Sequence, residues 1–156
     1  MPHSSSQCLR VALSIVCAAA AMAAAAADIG RVKVARGEVT IERGGQRLAA
    51  TVGMAVQDRD VLRTGADGSV GISMTDNALL SAGPNSVLAL EQYEFDDASG
   101  KGRFDASLAK GSLAVVSGRI AKQSPDAMTV RTPFAVLGVR GTEFAVTAHE
   151  PMLALP

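Results

Sequence analysis

Aromatic side chains are scarce in this chain of 156 residues, which has no tryptophan, one tyrosine and four phenylalanines. Binding pockets for organic ligands are lined largely by apolar and aromatic groups, so the shortage counts against a sugar site built on stacked rings. Cysteine is also rare, and both copies, Cys8 and Cys17, lie in the first 27 residues. If that segment is removed, the remainder has no disulfide, no thiol nucleophile and no thiolate metal site.

The N-terminal segment has the composition of a secretory signal peptide. Arg10 is its only charged residue, an apolar run follows over residues 11–27, and three alanines precede Asp28. A basic start, an apolar centre and small residues at the end predict cleavage after Ala27. A retained membrane anchor is the alternative, but the run is short and consists mainly of weakly apolar alanine. The expected location is the periplasm or beyond it.

The predicted mature chain is nearly neutral. Removal of residues 1–27 leaves 156 − 27 = 129 residues, and loss of Arg10 leaves 15 − 1 = 14 basic against 15 acidic side chains. This length suits one domain, residues 28–146, with a tail over 147–156 that is expected to be poorly ordered. Balanced charge gives no general attraction to nucleic acid or anionic membrane, and we expect no stable membrane insertion after cleavage.

Short β-type segments separated by turns fill the mature chain and indicate an all-β fold. A loose repeat recurs four times: a turn residue is followed two and four positions later by apolar side chains. These turn residues are Gly37, Gly68, Ser86 and Gly111. The pattern predicts a single domain of short strands in a β-roll or a coarse β-helix-like stack, with a sandwich as the alternative.

The most distinctive segment is Met128–Val146, which has apolar runs at Phe134–Val139 and Phe144–Val146. Valine, alanine and phenylalanine favour strands, so both runs are expected to be buried sheet. Arg140 continues the face of the first run. A buried arginine needs a carboxylate or carbonyl partner, which predicts a hydrogen bond from Arg140 to Asp60 or Asp67.

The segment Glu91–Arg103 differs from the rest because charged residues dominate it. It is expected to form a surface loop whose base is held on the core by neighbouring aromatic side chains, and loops on rigid scaffolds often carry binding functions. The candidate partner-binding residues are Tyr93, Glu94, Asp96, Asp97, Lys101 and Arg103.

Catalytic and metal sites are not expected. Asp58 and Asp60 have the i, i+2 spacing of two carboxylates on one strand face, but a role in local hydrogen bonding is favoured. A calcium site of these two residues with Asp67 matches no standard loop spacing. His149 is the only histidine after the predicted leader, and its position near the C-terminus makes it a poor general base. We therefore predict no enzyme activity, no cofactor and no bound metal.

Five segments together resemble the FecR domain. They are Val61–Val70, Leu80–Ser86, Lys110–Leu113, Arg131–Pro133 and Gly138–Phe144, and the resemblance extends over residues 29–146. The corresponding structural residues are Thr64, Gly65, Asp67, Gly68, Gly83, Pro84, Gly111, Pro133, Arg140, Gly141 and Thr142. One departure is the turn at Asp76, where Asn77 replaces the usual glycine; asparagine also tolerates the left-handed conformation.

The resemblance implies a bacterial, non-catalytic, β-rich domain on the periplasmic side of the envelope. The best-known members are transmembrane regulators that sense an outer-membrane receptor and control a sigma factor through a cytoplasmic segment. The predicted leader stands where those proteins have that segment, so this chain resembles the stand-alone secreted members. We expect an interaction or signalling module that binds another envelope protein through the charged loop or an exposed edge strand. The alternative is a protein that binds peptidoglycan or another envelope polysaccharide.

Overall fold

The computed structural model describes residues 26–140 and 143–149 of the chain, which form twelve strands and one short helix. The strands are β1 (Asp28–Arg36), β2 (Val39–Arg43), β3 (Gln46–Ala49), β4 (Ala55–Gln57), β5 (Val61–Thr64), β6 (Ser69–Met74), β7 (Leu79–Ala82), β8 (Val87–Phe95), β9 (Gly102–Val116), β10 (Met128–Arg131), β11 (Val136–Gly138) and β12 (Glu143–Ala148), and helix α1 is Arg119–Gln123. Most of the predicted leader and the tail beyond residue 149 lie outside these ranges. No helix in the described ranges is long and apolar enough to cross a membrane.

All twelve strands belong to one curled sheet. Several pairs of consecutive strands act as one long strand with a bend in the middle, which we call a run, and neighbouring runs bend at the same level. The run from β1 into β2 lies along the run from β5 into β6, because β1 pairs with β6 while β2 pairs with β5. The run from β7 into β8 lies in the same way along β9. Each run therefore contributes one segment to each half of the sheet, and the two halves enclose the core.

The bends occur at the turn residues of the loose sequence repeat. Gly37 and Gly111 have positive φ angles, 61° and 94°, which glycine adopts without steric cost. A β-carbon at Gly68 would overlap the backbone of Glu38, and one at Gly111 would overlap Ser86. We call this row of bends the corner line. The repeat therefore marks the places where neighbouring strands of one sheet bend.

Along the corner line, two side-chain hydroxyl groups form hydrogen bonds with backbone groups of neighbouring strands. Thr64 Oγ1 donates to the carbonyl of Gly83 at 2.6 Å and accepts from the amide of Ser86 at 2.8 Å. Ser86 Oγ accepts from the amide of Ser112 at 3.0 Å. Because Thr64 and Ser86 are buried, these bonds satisfy backbone groups that water does not reach.

The core lies between the two halves and is formed by alternate side chains of the bent runs, as the period of two predicts. Its largest fully buried members are Phe104, Ile41, Leu62, Ile72, Leu80, Leu88, Leu90, Leu108, Leu113, Ile120, Met128 and Val32.

Strand β9 pairs with two of the last three strands, β10 and β12. Asp105 of β9 pairs with Gln92 of β8 on one side and with Thr129 of β10 on the other. The β10–β9 pair is parallel, whereas β12 lies antiparallel to the second half of β9. Within residues 26–140 and 143–149, strand β11 pairs with β10 only, so it is the outermost of the described strands in this part of the sheet.

A buried aspartate joins the β6–β7 turn to helix α1. Asp76 accepts hydrogen bonds from the amide of Ile120 at 3.3 Å and from the hydroxyl of Tyr93 at 3.2 Å, and its carbonyl accepts from the amide of Arg119 at 2.8 Å. The next residue, Asn77, has φ 68°, so the prediction that asparagine takes the left-handed position in this turn is confirmed.

The all-β prediction is confirmed, and a curled antiparallel sheet is the arrangement found. The expectation that Phe134–Val139 is buried is wrong for most of the run, because Phe134, Ala135, Val136 and Gly138 are exposed. The two large side chains, Phe134 and Val136, are 68% and 69% exposed. Both lie in or beside β11, whose outward face no other element among the described residues covers. Val139 at the end of that run is buried, and Phe144 and Val146 of the second run pack against the core.

Candidate interaction surface

The β8–β9 connection, predicted to be a binding loop, is a tight turn organised by Asp96. Its carboxylate accepts from the amide of Ala98 at 3.0 Å and from the hydroxyl of Ser99 at 2.7 Å. These bonds hold the pKa of Asp96 below its usual value, with the Ser99 bond as the largest cause. The amide of Asp96 donates to the carbonyl of Lys101 at 2.9 Å, which closes the turn.

Helix α1 holds this turn from the side. Arg119 forms an ion pair with the carboxylate of Asp97 and donates to the Asp97 carbonyl at 3.0 Å. The same guanidinium lies 5.2 Å from the ring centroid of Phe95, within cation–π range. The turn is therefore a fixed, charged feature of the surface.

Five of the six predicted contact residues are on the surface, and one is not. The exposed five are Glu94, Asp96, Asp97, Lys101 and Arg103. Tyr93 is only 8% exposed, which corrects its assignment as a contact residue. It alternates with Glu94 along β8, so its side chain points into the core while that of Glu94 points outward.

Tyr93 has a structural role in the core. Its ring meets Phe104 edge-on with centroids 5.5 Å apart, and its hydroxyl lies 2.8 Å from Thr75 Oγ1 and accepts from the amide of Asp76 at 3.0 Å. Burial raises the pKa of Tyr93 to about 12. These aromatic contacts hold the base of the charged turn on the core, as expected from the sequence.

The prediction that Arg140 is buried and bonded to Asp60 or Asp67 is wrong. The Arg140 side chain is 74% exposed and lies 3.3 Å from the exposed carboxylate of Asp126. The reason is that Arg140 continues the outward face of β11. The arginine that does pair with Asp60 is Arg43, whose guanidinium donates to both carboxylate oxygens at 2.8 and 2.6 Å. This pair raises the pKa of Arg43, and the hydrogen bond is the largest cause.

Asp58 and Asp60, the two carboxylates considered as a catalytic pair, have separate structural roles. Asp60 is fully buried and also accepts from the amide of Gln57 at 2.9 Å, while Asp58 accepts from the amide of Tyr93 at 2.9 Å. His149 is exposed after the end of β12. Within residues 26–140 and 143–149, no three histidine, cysteine, aspartate or glutamate side chains are close enough to hold a metal ion.

Sequence reasoning missed a second surface feature, the hairpin of β10 and β11. The hydroxyl of Thr132 accepts from the amides of Phe134 and Ala135 at 3.4 and 3.0 Å, and the Thr132 amide donates to the Ala135 carbonyl at 2.8 Å. These bonds fix the four-residue turn that presents Phe134, and Val136 follows on β11. Pro133 is the one local signal, because proline commonly marks a turn and places the next residue at its tip.

The structure also places the predicted motif residues. Those on the corner line are Thr64, Gly65, Asp67, Gly68, Gly83, Pro84 and Gly111. Asp67 Oδ1 lies 3.4 Å from the amide of Glu38, across the line from its own strand. Pro133 lies in the β10–β11 turn, and Gly141 and Thr142 lie outside the described residues.

Comparison with known proteins gives one finding. No curated protein and no solved structure matches the chain. The family model described as FecR protein matches residues 60–155, which is 96 of 156 residues and begins at the buried Asp60. Because the match covers more than half of the sequence, this chain belongs to the FecR protein family.

Proposed function

We propose that this protein is a non-catalytic periplasmic signalling module that binds another envelope protein through the β10–β11 hairpin. Membership of the FecR family, which is associated with envelope signalling and not with catalysis, supports the signalling role. The leader-like composition of residues 1–27 supports export.

The observation that carries the proposal is the exposure of both Phe134 and Val136 on a hydrogen-bonded hairpin. An aromatic side chain held rigidly on a surface is the kind of anchor that dominates protein–protein interfaces. The charged turn at Asp96–Lys101 lies on a different connection and presents mainly charged side chains. Such groups contribute more to steering and partner choice than to affinity.

Binding of an envelope polysaccharide is less well supported by this geometry. Tyr93, the single tyrosine, is buried, and Phe95 lies under the guanidinium of Arg119. Phe134 is the aromatic side chain left exposed within the described residues, and one isolated ring gives a sugar a single stacking contact.

In-cell photo-cross-linking tests the proposal. A photoreactive benzoyl-phenylalanine is placed at Phe134 in one strain and at Ser99, the tip of the charged turn, in a matched control strain. We expect one dominant envelope protein in the adducts from position 134, identified by mass spectrometry. If position 134 gives no reproducible adduct, or if only position 99 gives one, the proposal is wrong.

A further inference from the structure

The outer edge of β11 has unpaired backbone groups within the described part of the chain. In an antiparallel pair, residues alternate between positions bonded to the partner and positions whose N–H and C=O point away from it. The turn bond from the Thr132 amide to the Ala135 carbonyl and the bond from the Val139 amide to the Met128 carbonyl, 3.0 Å long, both belong to bonded positions.

This alternation assigns the outward positions. Ala135 and Val139 occupy bonded positions, so Leu137, which lies midway between them and faces Val130, occupies a bonded position as well. Val136 and Gly138 therefore occupy the alternate positions. The N–H and C=O groups of Val136 and Gly138 therefore point to the open side of β11. Two such residues, two positions apart, offer the donors and acceptors that an extended peptide backbone satisfies.

The surroundings of this edge are mainly apolar. Phe134 and Val136 are exposed at one end. At the other end, a cleft of about 280 Å³ is lined by residues 137–140 and 143–145, which include the apolar Leu137, Val139 and Phe144 and the charged Arg140 and Glu143. The nearby cations are paired, because Arg131 lies 3.3 Å from Glu91 and Arg140 lies 3.3 Å from Asp126. Glu143 therefore supplies the main negative charge of the cleft.

We propose that β11 accepts an extended, mainly apolar segment of a partner protein as an additional strand of the sheet. The segment bonds to the backbone of Val136 and Gly138, packs one side chain against Phe134 and places another in the cleft beside Val139. A mainly apolar segment fits because Phe134 and Val136 are exposed beside the edge, and Glu143 disfavours an acidic side chain in the cleft. This inference rests on the proposed function and specifies how the partner is held.

Two substitutions at Gly138 separate backbone pairing from side-chain contact. Gly138 does not have a positive φ, and a β-carbon built on it meets no atom within 4 Å, so Gly138→Ala is accommodated and keeps the amide. Gly138→Pro removes that outward N–H without removing a bond to β10, and proline is tolerated on edge strands. The probe is benzoyl-phenylalanine at position 134, measured in cells for the wild-type chain and both variants.

Strand addition predicts that Gly138→Ala cross-links like wild type while Gly138→Pro loses about tenfold in adduct yield. If Ala and Pro cross-link equally while wild type gives adducts, the added strand is wrong and the proposed function stands. If no variant gives an adduct, both are wrong. An adduct of two copies of this chain overturns the proposal of a separate partner.

A second measurement covers the case in which Gly138→Pro does not fold, as judged by circular dichroism. Amide hydrogen exchange is compared between the free chain that carries benzoyl-phenylalanine at position 134 and its purified adduct, with no change at Gly138. Strand addition predicts slowed exchange at Val136 and Gly138 in the adduct, with the amide of position 134 protected less. Unchanged exchange at both amides overturns the inference.

Discussion

The hydroxyl of Ser86 occupies the place where a β-carbon on Gly111 would lie. Gly111 has φ 94°, and Ser86 uses that space to bond the amide of the neighbouring Ser112. One residue therefore needs to be glycine for two independent reasons, its backbone conformation and its contact. Both follow from the bend that β9 makes as it passes from one half of the sheet to the other.

Replacement of Gly111 by alanine should destabilise the domain by about 3 kcal/mol or more, because a strained φ and a steric overlap add. Chemical denaturation followed by circular dichroism measures the change, since the chain has no tryptophan for fluorescence. Gly138→Ala is the matched control and should change the free energy of unfolding by less than about 0.5 kcal/mol. Equal effects of the two substitutions would show that the corner line does not limit stability.

The buried Asp60 depends on Arg43. Arg43→Ala leaves a fully buried carboxylate without its bidentate partner, and we expect a loss of about 3–5 kcal/mol. Arg47→Ala removes an exposed partner of Glu42 and should cost less than about 1 kcal/mol. The comparison uses the free energies of unfolding of both variants, and a loss below that of Arg47→Ala would contradict the role given to the Asp60 pair.

The titration of Tyr93 should lower the stability of the folded protein at high pH. Its pKa in the folded protein is about 12, above the value of about 10 for an unfolded chain, so the folded state holds the proton more tightly. The stabilisation is complete below pH 10 and is lost as the pH rises from about 10 to 12. The difference in unfolding free energy between wild type and Tyr93→Phe should shrink over that range. A difference that stays constant from pH 9 to 12 would rule out this titration.

Arg140 should contribute little to stability. Its side chain and that of Asp126 are both exposed, and surface ion pairs of this kind are worth little. Arg140→Leu is expected to change the free energy of unfolding by less than about 0.5 kcal/mol. A fall of several degrees in melting temperature would mean that Arg140 has a partner which the described contacts do not include.

The sequence predicts local features of this fold well because they depend on neighbours along the chain. Turn residues such as Gly37 and Gly111, and the alternating apolar positions after them, follow from backbone conformation and from the period of two in a strand. The left-handed backbone conformation of Asn77 is another local feature of this kind. These features give the all-β class without any knowledge of which strands pair.

The errors concern properties that depend on pairing. Phe134 and Val136 have the composition of a buried strand, and only the outermost position of β11 leaves them exposed. The partner of Asp60 could not be chosen between distant arginines, because the pair joins residues 17 positions apart in the sequence. The charged neighbours of Tyr93 favour a surface loop, although strand alternation places its side chain inside.

The proposed function requires that the β10–β11 hairpin, and not another apolar part of the surface, binds the partner. Co-purification of envelope proteins with the tagged chain, quantified by mass spectrometry, tests it most directly for wild type, Phe134→Ser and Leu79→Ser. Leu79 is the matched control, because it is 47% exposed on a strand in the other half of the sheet. We expect the partner to fall about tenfold with Phe134→Ser and to be unchanged with Leu79→Ser. Equal recovery of the partner with all three chains would contradict the account.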